Sequence, residues 1–237
     1  LLANGYQEAV TYSFVDPTIE GLLSPGHESI VLANPISAEL SHMRSTVWSG
    51  LLRAVENNLN RQQTRVRLFE VGPVFSKTEA GIQQQDKIVG IITGSVFPEQ
   101  WSQANRAVDF YDIKGDVEAI LAQANAQKFY FVPVAHPALH PGQSAEIATD
   151  KEVVGWVGAL HPALEAKLGF GQNVFLFELD LKALQGRSLP VYQAVSKFPM
   201  IRRDLALVVD RSVLAIALDQ AIAKVAPPSL IRWEIFD

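Results

Sequence analysis

Arg65-Val66-Arg67-Leu68-Phe69-Glu70-Val71-Gly72-Pro73-Val74-Phe75-Ser76 reads as one long strand. Branched and aromatic side chains fill it. Gly81 marks a turn after it, and Lys87 to Ser95 reads as a second strand, so the pair forms an antiparallel hairpin with a loose polar connection. Side chains alternate between the two faces of a strand. Arg67 and Glu70 are three residues apart and therefore leave this strand on opposite faces unless a bulge intervenes.

Upstream of the hairpin, Ser45 or Thr46 can cap a helix that runs to about Gln62. Its apolar set of Val47, Leu51, Val55 and Leu59, joined by Trp48 and Leu52, lies on one face. Glu8 to Phe14 alternates, with Val10, Tyr12 and Phe14 expected on the buried face of a strand. Asp16-Pro17 reads as the cap and first residue of a short helix ending near Leu23. A short strand is expected at Ser29 to Ala33. Downstream, Asp112 is expected to cap a helix to about Ala126. Strands are expected at Phe129–Val134, Gln143–Thr149, Val153–Leu160 and Val174–Leu181, with a short helix from Pro162 closed by Gly169. Strands outnumber helices and short turns join them. The fold class is thus α+β, a largely antiparallel sheet with helices expected on one side.

Gln185 to Pro190 is polar and turn-rich, and a domain boundary is placed there: residues 1–188 before it and 189–237 after it. The second piece offers strands at Tyr192–Val195, Asp204–Val209 and Leu230–Phe236 and a helix at Val213–Val225. That is a β–β–α–β or β–α–β opening of a small split sandwich that lacks its second half. Both ends read as cut, which suggests an excised piece of a longer protein.

The 237 residues contain no cysteine, which excludes disulfides, thiolate metal sites and a cysteine nucleophile. No apolar run reaches the ~18–20 residues of a membrane helix, and no signal peptide opens the chain. The reading is a cytoplasmic protein with no membrane partner. Net charge is −5; any contact with nucleic acid is therefore local or shared with a partner.

Few constellations point to chemistry. His136 and His140 are four apart, but Pro137 and Pro141 follow them and break any helix that would present both to zinc. With His161-Pro162 they read as residues that cap strand ends or bond backbone, and no metal site is expected. Asp109, Asp112, Asp116 and Glu118 read as caps and dipole partners of a helix start. Gly169-Phe170-Gly171 follows a helix, the wrong order for a phosphate loop, and reads as a C-cap. Arg53, Arg61, Arg65 and Arg67 form one basic group; Lys197, Arg202 and Arg203, with Phe198 between, form another. The plain reading of both is a solvated face; the functional alternative is contact with RNA phosphates or an acidic partner.

Several strings occur together in a telling order: Asn4-Gly5-Tyr6-Gln7-Glu8, Tyr12 to Pro17, Asn34-Pro35-Ile36, Met43-Arg44-Ser45-Thr46, Gly50-Leu51-Leu52, Asn58 to Arg61, Leu68 to Phe75, Phe110 to Glu118 and His140 to Ala145. This set resembles the C-terminal half of the β subunits of bacterial phenylalanyl-tRNA synthetases. Phe198-Pro199-Met200-Ile201-Arg202-Arg203-Asp204-Leu205-Ala206 resembles the opening of that family's ferredoxin-like anticodon-binding domain.

The resemblance implies a class II aminoacyl-tRNA synthetase-like, non-catalytic core at residues 1–188 and a partial ferredoxin-like domain at 189–237. It implies a structural part of a phenylalanine–tRNA ligase whose α subunit activates phenylalanine. The expected assembly is a heterotetramer of two α and two β chains that binds ATP, Mg²⁺ and tRNA; this piece alone is expected to be inactive and to hold no cofactor. Active class II enzymes place an Arg and a Glu two apart on one strand, which Arg67 and Glu70 do not match. The family's glycine-rich segment ending in Arg also finds no counterpart at Gly169-Phe170-Gly171-Gln172. Expected α-subunit contacts are Trp48, Arg53, Asn60 and Arg61, and expected tRNA contacts are Lys197, Arg202 and Arg203. The competing expectation is a stand-alone class II-like ATP-dependent ligase or an amino-acid-binding paralogue.

Overall fold

The computed structural model describes residues 1–124, 128–186, 192 and 197–236. It divides into two compact units, Leu1–Pro190 and Val191–Asp237.

The first unit is built on a seven-stranded sheet. In chain order its strands are β1 (Gln7–Glu8), β4 (Val66–Thr78), β5 (Gly81–Thr93), β6 (Tyr130–Pro133), β7 (Leu139–Ala148), β8 (Val153–Leu160) and β9 (Val174–Asp180). In space they run β1-β4-β5-β9-β8-β7-β6. Only the β1–β4 pair is parallel; the other neighbours are antiparallel. The deciding hairpin forms as expected, from Val66↔Thr93 to Thr78↔Gly81. Its turn is closed by Gly81 at φ 112°, a conformation that side-chain-bearing residues adopt only with strain. A separate two-stranded piece pairs β2 (Phe14–Val15) with β3 (His42–Met43).

The helices are α1 (Pro17–Leu23), α2 (Trp48–Asn60), α3 (Phe110–Leu121) and α4 (Pro162–Leu168). Asp16 accepts from the Thr18 N–H at 2.7 Å and Pro17 fills the first turn, so α1 begins where expected. Thr46 Oγ1 accepts from the Trp48 N–H at 3.1 Å at the start of α2. Gly169 ends α4 in the left-handed conformation, φ 72°.

The expectation of helices on one side is corrected. Two cores lie on opposite faces of the sheet. One holds Val47, Trp48, Leu51, Leu52 and Val55 of α2 against Val66, Leu68, Val89, Ile91 and Leu176. The other holds Ile113, Val117 and Leu121 of α3 against Phe69, Ile92, Val157, Phe175 and Phe177. Strand β9 and the Ile88–Ile92 half of β5 are apolar on both faces, and such a strand needs cover on both.

Other expectations also change. Val10 (90% exposed) and Tyr12 (72% exposed) are not in a strand. The segment between β1 and β2 instead places Thr11 inward, against α2 and β4. Ser29–Ala33 contributes only the Val31↔His42 bridge. Asp109, not Asp112, caps α3; its carboxylate accepts from the Tyr111 and Asp112 N–H groups while Asp112 bonds back to the Asp109 N–H, a reciprocal capping box. The helix gives way to a 3-10 turn after Leu121.

In the second unit the described residues form one regular element, α5 (Ala215–Val225). Asp204–Val209 and Leu230–Phe236, expected as strands, have no ladder partner among the described residues and are not strands. β-forming side chains do not suffice without a neighbour to bond the backbone. Residues 193–195 of the other expected strand lie outside the described residues.

Candidate functional site

The charged residues of β4 are the natural place to look for chemistry. Glu70 faces α2. Its Oε1 lies 2.7 Å from Arg44 Nη1, and its Oε2 accepts from Thr11 Oγ1 at 2.7 Å and from the Thr11 N–H at 3.2 Å. Arg44 is 1% exposed; its Nε donates to the Pro73 carbonyl at 2.8 Å and its Nη1 also to Thr11 Oγ1 at 3.1 Å. Two glycines make room. A Cβ at Gly50 would sit 2.1 Å from Thr11 Oγ1, and one at Gly72 would sit 2.5 Å from Arg44 Nη2. The cluster is closed by close packing, with every charge answered internally.

Arg67 faces α3. Its Nη1 lies 3.1 Å from Asp116 Oδ2, and its guanidinium stands over the Tyr6 ring, 5.6 Å from the centroid. Tyr6 donates its hydroxyl to Asp116 Oδ2 at 2.8 Å, and Asn4 Nδ2 donates to Oδ1 at 2.7 Å. Burial, then the adjacent Asp116 charge, pushes the Tyr6 phenol well above its ordinary range, so it remains the donor. Arg65 shares the Val96 carbonyl with Arg67, at 3.2 and 3.5 Å. Burial and the Arg67 charge hold the Arg65 guanidinium below its usual range. Asp116, read from sequence as one of a capping group, is instead a buried counter-ion.

A third polar group sits on the α2 side. Lys87 pairs with Asp180 and lies 4.0 Å from Glu178. Thr46 Oγ1 donates to Glu178 Oε2 at 2.6 Å. Burial pushes the Glu178 carboxyl up against the opposing pull of Lys87. The Lys87 ammonium lies 5.9 Å from the Trp156 ring centroid, and His136 packs between Trp156 and Trp48. Glu20 of α1 is a further buried carboxylate, bonded by the Ser45 N–H at 2.6 Å and by the Ser45 hydroxyl. Burial raises its pKa, and its other oxygen has no partner among the described residues.

The three His-Pro pairs share one local device. His136, His140 and His161 each accept, at Nδ1, the backbone N–H two residues on, at 3.2, 2.9 and 3.1 Å. This is the backbone role expected of them, and His161 caps α4 through it.

The residues singled out for partners are dispersed. Trp48 is a core residue, 2% exposed, whose indole N–H donates to the Phe177 carbonyl at 3.1 Å; its bulk is spent within this chain. Arg53, Asn60 and Arg61 lie on the exposed side and end of α2. Lys197, Arg202 and Arg203 are exposed in the second unit, where Arg202 pairs with Asp204 at 3.3 Å and lies over the Phe236 ring. Sequence reasoning missed Thr11, Arg44, Asp116, Lys87 and Glu178. The available signal was charge in an otherwise apolar strand: Glu178 interrupts a run that is buried on both faces.

Among the described residues no helix is long and apolar enough to cross a membrane. The model of the phenylalanyl-tRNA synthetase β chain CLM domain matches residues 1–181. The chain is 48% identical over 238 residues to a phenylalanine–tRNA ligase β subunit of Pseudomonas fluorescens strain Pf-5. It is 45% identical over 239 residues to that of Nitrosococcus oceani and 47% identical over 238 residues to that of Methylococcus capsulatus. Each match covers all of this chain and 30% of the relative, so the chain spans under a third of the length of these relatives. The chain belongs to the phenylalanyl-tRNA synthetase β chain CLM-domain family.

Proposed function

We propose that this chain is a non-catalytic, structural portion of a phenylalanine–tRNA ligase β subunit. It scaffolds the catalytic α subunit and supports tRNA binding while the complex forms phenylalanyl-tRNA in the cytoplasm. The observation that carries the reading is the fate of β4. Arg67 and Glu70 sit on opposite faces, and each is neutralised by buried partners of this chain, Asp116 and Arg44. A nucleotide-binding strand must leave its charges free to meet phosphates and metal. These residues do not fit ATP or Mg²⁺, and both belong to the whole complex in this reading.

The first unit is read as a class II-like core over residues 1–188 and the second as part of a ferredoxin-like domain over 189–237. The assembly has two α and two β chains. Arg53, Asn60 and Arg61 on the open side of α2 serve as α-subunit contacts. Lys197, Arg202 and Arg203 serve as tRNA contacts, a short basic stretch in a chain of net charge −5.

Two measurements test this. Co-expression with the α subunit should give a stable complex on size exclusion, and its absence counts against the scaffold. Calorimetric titration of the chain with ATP should show no binding; micromolar affinity would instead favour a stand-alone ATP-dependent ligase.

A further inference from the structure

The sequence holds one Asn-Gly pair, Asn4-Gly5. In a flexible chain this pair readily loses the asparagine amide, because glycine has no side chain to shield its nitrogen from the neighbouring carboxamide. The fold nevertheless demands both residues, for separate reasons. Asn4 Nδ2 donates to Asp116 Oδ1 at 2.7 Å, which completes the group in which Asp116 Oδ2 meets Tyr6 and Arg67. Gly5 ends the 3-10 turn Leu2–Asn4 at φ 78°, a left-handed conformation that glycine adopts without strain. The strand that follows, β1, pairs with β4 only through Gln7↔Leu68 and Glu8↔Phe69. The labile pair thus sits directly before the shortest strand of the sheet.

The same contacts hold the reaction off. Loss of the amide begins when the Gly5 nitrogen bonds to Asn4 Cγ. That five-membered ring closes only after the Asn4 Cα–C bond rotates away from its helical value, and the 3-10 turn keeps it there. The Gly5 N–H donates to the Leu2 carbonyl at 3.0 Å, and the carboxamide is tied to Asp116. Both residues are exposed, so water is at hand. We propose that Asn4 is a latent modification site, a deamidation site that the folded chain protects and that is released when the turn before β1 comes away from α3. On release the Gly5 N–Cγ bond forms, the Cγ–NH₂ bond breaks, and ammonia leaves with the Gly5 amide proton. Water then cleaves the imide at either carbonyl, giving aspartate or isoaspartate; nothing is oxidised or reduced. Either product sets a second carboxylate where Asn4 had donated to Asp116. The isoaspartyl form also lengthens the main chain by one methylene just before Tyr6. Both therefore oppose reclosure of the turn. The inference stands apart from the scaffold reading.

The test follows Asn4 by peptide mass spectrometry in the full-length protein, held in mildly alkaline buffer. Asn58 and Asn60, followed by leucine and arginine, serve as references in the same digest. In guanidinium chloride, with the chain unfolded, Asn4 should convert at least tenfold faster than either reference. In the folded protein it should convert at least tenfold more slowly than in the unfolded one. Low denaturant, below the main unfolding transition, should raise the folded rate, as local opening does. Asp116→Ala should raise the folded rate severalfold. Leu1→Ser, which releases Leu1 from the core beneath α3, should do the same and serves where Asp116→Ala does not fold. Equal rates in the folded and unfolded protein overturn the inference, as does an unfolded rate no faster than the references. A folded rate that rises only with global unfolding, or folded variants that convert no faster than the parent, overturns it as well.

Discussion

Arg67 and Glu70 stand three residues apart on β4, and their side chains end in ion pairs on opposite sides of the sheet, 3.1 Å from Asp116 and 2.7 Å from Arg44. Each pair is buried and carries further hydrogen bonds. Removing one member therefore strands a charge, which costs far more than the net worth of the pair. This asymmetry governs the first two predictions.

Asp116→Ala leaves Arg67 without its carboxylate and the Tyr6 hydroxyl without an acceptor. The expected loss is about 3–5 kcal/mol of unfolding free energy, read as a lower midpoint in urea. Asp116→Asn, which keeps the shape and one acceptor, should lose less.

Arg44→Met alone should destabilise by a similar amount, as should Glu70→Leu. The double substitution should cost less than the two single losses added together, because no charge is then left buried alone. A double-mutant cycle checks this through a coupling of roughly 0.5–3 kcal/mol, the range for residues in direct contact. Strictly additive losses would contradict the arrangement described.

Gly50→Ala should destabilise, although alanine is favoured over glycine inside a helix by about 1 kcal/mol. Its Cβ would meet Thr11 Oγ1 at 2.1 Å and Thr11 Cβ at 2.6 Å and would push Thr11 away from Glu70. Overpacking of this kind costs about 1–3 kcal/mol. Adding Thr11→Gly should restore part of the loss in thermal melts.

Glu20 supplies a pH dependence of defined sign. Burial raises its carboxyl pKa in the folded chain above that of the unfolded chain. The stability linked to its proton is complete below the unfolded value and is lost as pH rises through the folded one. Glu20→Gln should therefore match the parent protein at acid pH and gain relative to it as pH climbs above the ordinary carboxylate range. Parallel stability curves for the two proteins would refute this.

Much of the frame was legible because it depends on local rules. The Asp16-Pro17 start of α1, the Gly81 turn and the Gly169 stop follow from backbone preferences of single residues. The apolar stripe of α2 announced a buried face. It could not say which face of the sheet it meets, and the placement of α3 on the opposite side escaped for the same reason. The alternation of Val10, Tyr12 and Phe14 misled because a period of two reports side-chain spacing, not whether a neighbouring strand exists. Asp116 looked like a helix-start residue beside Asp109 and Asp112; only the tertiary approach of Tyr6 and Arg67 makes it a counter-ion. The partners of Glu70 come from 26 and 59 positions away, beyond the reach of any local pattern.

The shared device of the three His-Pro turns has a chemical corollary. An imidazole that accepts at Nδ1 must carry its hydrogen on Nε2, so one tautomer is imposed on His136, His140 and His161 alike. A second proton would turn each acceptor into a donor facing an amide hydrogen. At His136 burial holds the imidazole below its usual range, which favours the neutral ring its turn requires, and nitrogen-15 chemical shifts that mark the Nε2–H form would show that tautomer.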